Sequence, residues 1–126
     1  MISTVSLVAL GGAIGAACRY FLGAGVMRLA GPSEFPLAIL SVNIIGSFLM
    51  GAFVVAAAQK GLTHLSPFVM TGLLGGFTTF SAFSLEAVTL MERGQIAAAG
   101  AYVTLSVVLS IGGLMLGLWI ARGVLA

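Results

Sequence analysis

The sequence predicts an all-α membrane protein with four transmembrane helices, and the distribution of charged residues is the main observation behind that prediction. Four stretches contain no Asp, Glu, Lys or Arg: residues 2–18, 35–59, 61–85 and 94–121. A helix needs about 20 apolar residues to cross a bilayer core about 30 Å thick. The last three stretches reach that length alone, and the first reaches it by continuing past Arg19 to Met27.

Composition supports the same class. The chain has 126 residues, of which 60% are hydrophobic and only 6% are charged, whereas a soluble domain carries about 25% charged residues. We therefore expect a single membrane domain over residues 1–126, with the lipid bilayer as its surroundings. Five basic and three acidic side chains are too few and too dispersed for a nucleic-acid surface.

Turn residues separate the four predicted helices, which cover residues 3–29, 35–59, 67–91 and 95–123. Gly31-Pro32-Ser33 ends the first helix, Lys60-Gly61 opens the second loop, and Glu92-Arg93-Gly94 forms the third turn. Pro67 suits the first turn of the third helix, where its missing N–H costs nothing.

Two features concern the first helix. The N-terminus has no basic segment and no clear small-residue cleavage site, so we expect this helix to be retained. Cys18, the single cysteine, is predicted to be a small packing residue inside it.

Loop charges bear on how the chain inserts. Four spans place Lys60 and Arg122 on one side of the membrane and Arg28 and Arg93 on the other. Cytoplasmic loops normally carry an excess of Lys and Arg, which sets the orientation. A chain without that excess is able to insert both ways and form an antiparallel dimer. The alternative is that Arg19 tips the count, since a weak bias in a short chain means little, and the charges alone leave both open.

The third helix contains an unusual segment in the middle of its span. Gly75-Gly76 and Thr78-Thr79 together form a poor continuous helix. A broken helix at membrane depth persists only where the freed backbone is buried in protein or lines a watery site, and carbonyls exposed there suit a small cation such as Na⁺. The alternative is an unbroken, glycine-rich packing face.

Two phenylalanines follow this segment. Phe80 and Phe83 are three residues apart, so both lie on one side of a helix, and Ser81 and Ser84 are interspersed with them. Phenylalanine in a membrane helix commonly faces lipid or the core. An aromatic ring also has a positive edge, which allows it to contact an anion without bearing a charge.

Other polar residues lie at membrane depth. The Asn43 amide must find partners, either in another helix or in a permeating anion that accepts from its NH₂ group. Ser106 and Ser110 lie one turn apart on the fourth helix, although serine often bonds to its own i−4 carbonyl.

Arg19 and Glu86 are ionisable residues inside predicted spans, which makes them functional candidates. Arg19 either raises the local positive potential for anions or extends to the interface. Glu86 either pairs with a cation or lies at a pore mouth.

These motifs resemble the Fluc (CrcB-type) fluoride channel family over all four helices. The matching pieces are Gly11-Gly12-Ala13-Ile14-Gly15-Ala16 leading to Arg19-Tyr20, Asn43 with Gly46 and Gly51, residues 72–84, Glu86, and the Ser106 and Ser110 pair. The resemblance implies a passive fluoride exporter in the bacterial inner membrane, not an enzyme. It also implies an antiparallel homodimer with two pores and a central structural Na⁺ on the Gly75 and Thr78 carbonyls of both subunits.

The resemblance assigns roles along the fluoride pathway. It implies fluoride contacts from the ring edges of Phe80 and Phe83, the Asn43 amide and the Ser110 hydroxyl, with a polar track from Ser81 and support from Arg19. The chain departs from the family pattern at Ala82 and Leu114, where hydroxyl residues are common. We therefore expect a thinner polar track.

Two other functions are compatible with four short helices. A small multidrug-type antiporter with dual topology needs a membrane-embedded carboxylate, and Glu86, beyond the aromatic pair, is the one acidic residue inside the spans. A non-transporting assembly subunit would not need a break in the third helix. The sequence shows no catalytic constellation.

Overall fold

The computed structural model describes residues 2–31, 33 and 35–125. Within them are four helical spans that are long and apolar enough to cross a membrane, as the sequence predicts. Three are single helices, namely α1 (Ile2–Ala30), α2 (Leu37–Lys60) and α5 (Ile96–Leu125). The third span, Thr63–Glu92, is composite. The third span begins four residues before the predicted start at Pro67. The other predicted bounds differ from these by one or two residues, which is the usual uncertainty at helix ends.

The third span consists of four segments. A 3₁₀ turn, Thr63–Leu65, precedes the π-helix Pro67–Leu74, which is followed by α3 (Gly75–Phe77) and α4 (Phe80–Glu92). Pro67 lies in the first turn of its helix, as predicted. The sequence did not indicate the π-helical turns, a rare form that is often found at functional sites.

Thr78 and Thr79 separate α3 from α4. Their backbones are extended, with φ −84° and ψ 161° at Thr78 and φ −152° and ψ 123° at Thr79. The Thr78 N–H still donates to the Leu74 carbonyl at 3.0 Å. Thr79 is the N-cap of α4, because its side-chain oxygen accepts from the Ala82 N–H at 3.1 Å.

Glycine forms the turns between the spans. Gly31, Gly61 and Gly94 have φ values of 75°, 68° and 79°, which residues with a Cβ rarely adopt. All three occur where the sequence predicts turns. Pro32 of the first predicted turn lies outside the described residues.

Glycine also lets α1 approach the third span closely. A Cβ on Gly11 would lie 2.5 Å from the Phe68 carbonyl oxygen, and one on Gly15 would lie 2.9 Å from the Phe77 amide nitrogen. Small residues are what permit such backbone contact between membrane helices. The Gly11 and Gly15 pair is therefore a packing motif.

Cys18 is exposed, so the prediction that it packs inside the protein is wrong for this chain. Gly15 contacts Phe77, the last residue of α3. The third span becomes extended directly after that residue, so it does not continue alongside α1 to cover Cys18.

The most extensive helix contact is between α2 and α5. A Cβ on Gly51 would overlap the Leu114 carbonyl, and one on Gly117 would overlap the Phe48 carbonyl. A compact group of buried residues joins this pair to α4: Leu40, Phe83, Ala87, Leu90, Ala99 and Tyr102. This packing positions the polar residues of α2 and α5 beside the interrupted third span.

Candidate functional site

A cavity of about 380 Å³ lies beside the extended residues of the third span. Three elements line it: α2, the segment from Thr78 into α4, and α5. Five residues predicted for the fluoride pathway are among its lining: Asn43, Phe80, Phe83, Ser106 and Ser110. Thr78, a predicted Na⁺ ligand, lines it as well. We refer to it as the first cavity. The fold thus brings together residues that the sequence separates by more than half the chain.

Asn43 and Thr79 are joined by two hydrogen bonds. The Asn43 Nδ2 donates to the Thr79 carbonyl at 3.0 Å, and the Thr79 N–H donates to the Asn43 Oδ1 at 2.8 Å. Interhelical bonding, one of the two roles expected for Asn43, is therefore present. An amide NH₂ group has two donors, and the Thr79 carbonyl takes one of them.

The same region diverts two amides from their usual α-helical acceptors. In a continuous α-helix, the Thr79 N–H would bond to the Gly75 carbonyl and the Ala82 N–H to the Thr78 carbonyl. Here the Thr79 N–H donates to Asn43, and the Ala82 N–H donates to the Thr79 hydroxyl. The carbonyls of Gly75 and Thr78 thus lose their α-helical donors.

Two groups of hydroxyls in the spans differ in their hydrogen bonding. Those of Thr78, Ser84 and Thr89 donate to the carbonyls four residues earlier, at 3.0, 2.9 and 2.7 Å. Those of Tyr102 and Ser106 are buried and have no hydrogen-bond partner among the described residues. Ser106 therefore does not make the i−4 bond that its position allows, and both hydroxyls are left as donors without a protein acceptor.

The sequence analysis missed Tyr102. One signal was available in the sequence: Tyr102 lies one turn before Ser106 on the same face of α5. Its neighbours were not predictable, because they come from other elements. The Tyr102 ring lies 5.3 Å from that of Phe83 and 5.7 Å from that of Phe35.

Four aromatic rings form a continuous row. The centroids of Phe80 and Phe83 are 5.3 Å apart, which agrees with the prediction that they share one side of a helix. Phe83 is buried, whereas Phe80 is 76% exposed. The row continues through Tyr102 to Phe35. At its Phe80 end, the first cavity therefore adjoins the outer surface of the chain.

Three other predicted residues lie elsewhere. Ser81 is exposed, with its hydroxyl 3.3 Å from that of Thr79. Glu86 lines a second cavity, of about 240 Å³. Arg19 is half-buried on α1 and lines neither cavity. Leu114, where the family pattern often has a hydroxyl, does line the first cavity.

Comparison with known proteins gives consistent matches over nearly the whole chain. The chain is 69% identical over 125 residues to the fluoride-specific ion channel FluC of Ruegeria sp. (strain TM1040), with 99% of each chain covered. It is 71% identical over 119 residues to the FluC of Roseobacter denitrificans (strain ATCC 33942 / OCh 114), with 94% of each covered. It is 60% identical over 126 residues to the FluC of Cereibacter sphaeroides (strain ATCC 17029 / ATH 2.4.9), with both chains fully covered.

A family model provides the classification. The model described as CrcB-like protein, Camphor Resistance (CrcB), matches residues 6–118. That match includes all the predicted site residues that line the first cavity. It confirms the family to which the sequence motifs pointed. With its four apolar helices, this chain belongs to the CrcB-like protein family, as a multi-pass protein of the bacterial inner membrane.

Proposed function

We propose that the chain is a fluoride-selective ion channel that lets fluoride leave the cytoplasm passively, rather than an enzyme. The relatives are named for that activity. The observation in this chain that carries the proposal is the pair of buried hydroxyls on Tyr102 and Ser106 without a protein acceptor. Unpaired buried donors are costly to a fold. Ser106 lines the first cavity, and Tyr102 contacts Phe83, which also lines it. An acceptor that passes through the cavity explains why both hydroxyls are retained.

The surroundings of these donors suit a small anion. The Phe83 ring contacts Tyr102, and ring edges are positive. Asn43 contributes an amide with a second N–H donor, and Ser110 contributes a hydroxyl to the same cavity. Fluoride is small and strongly hydrated, so a pathway must replace its water with short, oriented donors. Chloride is larger, and a packed interior resists the widening that it would need.

The alternative of a multidrug-type antiporter is less well supported. A site for cationic drugs needs a carboxylate, but the described lining of the first cavity contains no charged side chain. Glu86 is placed in the second cavity instead. The roles of Ser81, Arg19 and Glu86 in the fluoride pathway remain predictions.

We also propose that two copies assemble as an antiparallel homodimer with two pores. The exposure of Phe80 supports this, because one wall of the first cavity adjoins open surface in a single chain. The balanced loop charges favour insertion in both orientations. Tags at each terminus should then be accessible from both sides of the membrane. Finding every C-terminus on one side would exclude the antiparallel arrangement.

The proposal includes a structural Na⁺ at the interruption of the third span. The Gly75 and Thr78 carbonyls of both subunits are its proposed ligands, and the loss of their α-helical donors supports that choice. Carbonyl oxygens suit a hard cation. A positive charge at mid-membrane depth would lower the cost of moving an anion there.

Fluoride efflux from proteoliposomes tests the function directly. Purified protein is reconstituted into fluoride-loaded vesicles, and an electrode records external fluoride after an ionophore dissipates the opposing potential. We expect rapid fluoride release and almost no chloride release from matched chloride-loaded vesicles. Release no faster than from protein-free vesicles, or equal release of both anions, would reject the proposed function.

A further inference from the structure

The second cavity, of about 240 Å³, lies where α1 ends, α2 begins and α4 ends. Its described lining is apolar apart from Ser33 and two charged side chains, Glu86 and Arg93. These two residues are seven positions apart on the third span, so they lie about two turns apart on the same side. Arg93 is exposed and is the C-cap of α4. It is therefore nearer to water than Glu86 by about 10 Å along the helix.

The aromatic row connects the two cavities. Phe35 lines the second cavity and meets the Tyr102 ring edge-on, at 5.7 Å and 90°. Phe83 lines the first cavity and its ring also contacts that of Tyr102, at 5.3 Å. Tyr102 is fully buried. Its ring thus contacts one aromatic residue from the lining of each cavity.

Charge alone would make the second cavity unfavourable for an anion if Glu86 were its one ionised group. A carboxylate repels fluoride, and the repulsion is stronger in a partly enclosed cavity than in water. Arg93 in the same wall offsets that charge and lies at the outer end. The positive charge of Arg93 at the water-facing end raises the local concentration of anions there.

We infer that the second cavity is an entry chamber for the fluoride pathway, and that Arg93 is the residue that collects fluoride at its mouth. This inference rests on the proposed channel function. It assigns Arg93 an electrostatic role in ion entry rather than a contact in the constriction. Arg93 should therefore matter most at low fluoride concentration and low ionic strength, where the screening length is about 30 Å, and much less at 0.15 M, where it is about 8 Å.

The test places different charges at one position. Cys18→Ala removes the exposed native thiol, and Arg93→Cys introduces a single new one. The purified protein is labelled in detergent with a cationic or an anionic methanethiosulfonate reagent and then reconstituted. Arg122→Cys, at an exposed position near the end of α5, is the matched control. Initial fluoride efflux is recorded at about 0.01 M and 0.15 M ionic strength.

A unit charge about 10 Å away in water changes the local ion concentration about twofold. We therefore expect Arg93→Cys to lower initial fluoride efflux about twofold at low ionic strength. The cationic and anionic adducts differ by two unit charges, so their initial efflux should differ about fourfold. The difference should shrink at high ionic strength. Arg122→Cys and its adducts should show the same initial fluoride efflux as the Cys18→Ala parent. Equal efflux for both Arg93→Cys adducts, with the parent still active, would reject the entry chamber but not the channel. An inactive parent would reject the channel itself.

Discussion

Asn43 and Thr79 lie 36 residues apart and exchange a pair of hydrogen bonds, at 3.0 and 2.8 Å. The single side chain of Asn43 thereby satisfies both the N–H and the carbonyl of one extended residue. Backbone polar groups inside a membrane must find such partners, because water is not available to them. The amide thus stabilises the interruption of the third span and, in the proposed channel, presents its remaining donor to fluoride.

Asn43→Asp should abolish fluoride efflux and lower stability. The carboxylate keeps an acceptor for the Thr79 N–H but loses the donor to the Thr79 carbonyl, a loss of about 1–3 kcal/mol for a buried group. An ionised side chain would also repel fluoride. Efflux from proteoliposomes and thermal unfolding in detergent measure the two effects. Gln59→Glu makes the same chemical change at an exposed position of α2 and should alter neither. Wild-type efflux by Asn43→Asp would contradict the assigned role.

Replacing either ring of the aromatic pair should stop fluoride flow for a reason other than unfolding. Phe80→Ile and Phe83→Ile keep apolar bulk but remove the positive ring edge. At the buried Phe83, the substitution should lower the free energy of unfolding by up to about 1.5 kcal/mol. At Phe80, which is exposed in a single chain, it should leave the free energy of unfolding almost unchanged. Electrode assays and gel filtration of each variant provide the measurements. Phe21→Ile, at a ring that is 72% exposed on α1, is the control. If both variants at the pair conduct normally, ring edges do not bind the ion.

Tyr102→Phe and Ser106→Ala should uncouple activity from stability. Each removes a buried hydroxyl that lacks a protein partner. The free energy of unfolding should therefore stay the same or rise by about 1 kcal/mol. Fluoride efflux should nevertheless fall severalfold, because a donor in the pathway is lost. Denaturation and efflux are compared on the same preparations, with Tyr20→Phe at an exposed ring as the control. Destabilisation by Tyr102→Phe would show that its hydroxyl has a structural partner after all.

Gly→Ala substitutions should lower stability where two helices are in contact but not where the helix surface is free. Gly117→Ala would place a methyl group against the Phe48 carbonyl, and overpacking of this kind costs about 1–3 kcal/mol. Gly112→Ala, on the same helix, meets no atom within 4 Å and should be neutral, or stabilising by up to about 1 kcal/mol, through helix propensity. Thermal unfolding of both variants tests this. Equal effects would argue against the close α2–α5 contact.

Removal of Na⁺ should lower both efflux and dimer stability. If the Gly75 and Thr78 carbonyls hold the ion, a large organic cation is unable to replace it, and the interrupted span loses a ligand that binds the folded state. The thermal midpoint should rise with Na⁺ concentration and saturate. The matched comparison is the same titration in choline at constant ionic strength. Undiminished efflux in rigorously Na⁺-free buffer would remove the ion from the proposal.

The sequence alone determined the number of spans and the places where they turn. A bilayer excludes charge so strongly that the uncharged stretches give the four helices directly. Gly31, Gly61 and Gly94 mark the turns because glycine readily adopts the positive φ that a turn requires. The aromatic pair was likewise predictable, since Phe80 and Phe83 are three residues apart on one helix. These are local properties, set by solvent and by spacing along the chain.

The tertiary structure decided which polar groups have partners. The sequence allowed two roles for Asn43, and its distance of 3.0 Å from Thr79 decided that it bonds to the third span. It left Tyr102 unnoticed, because an unpaired hydroxyl is defined by the helices that surround it. It also gave no reason to place Glu86 and Arg93 in one cavity with the start of α2. Whether a hydrogen bond is satisfied, and which charges share a cavity, depends on contacts between residues that are distant in the chain, and only packing fixes these.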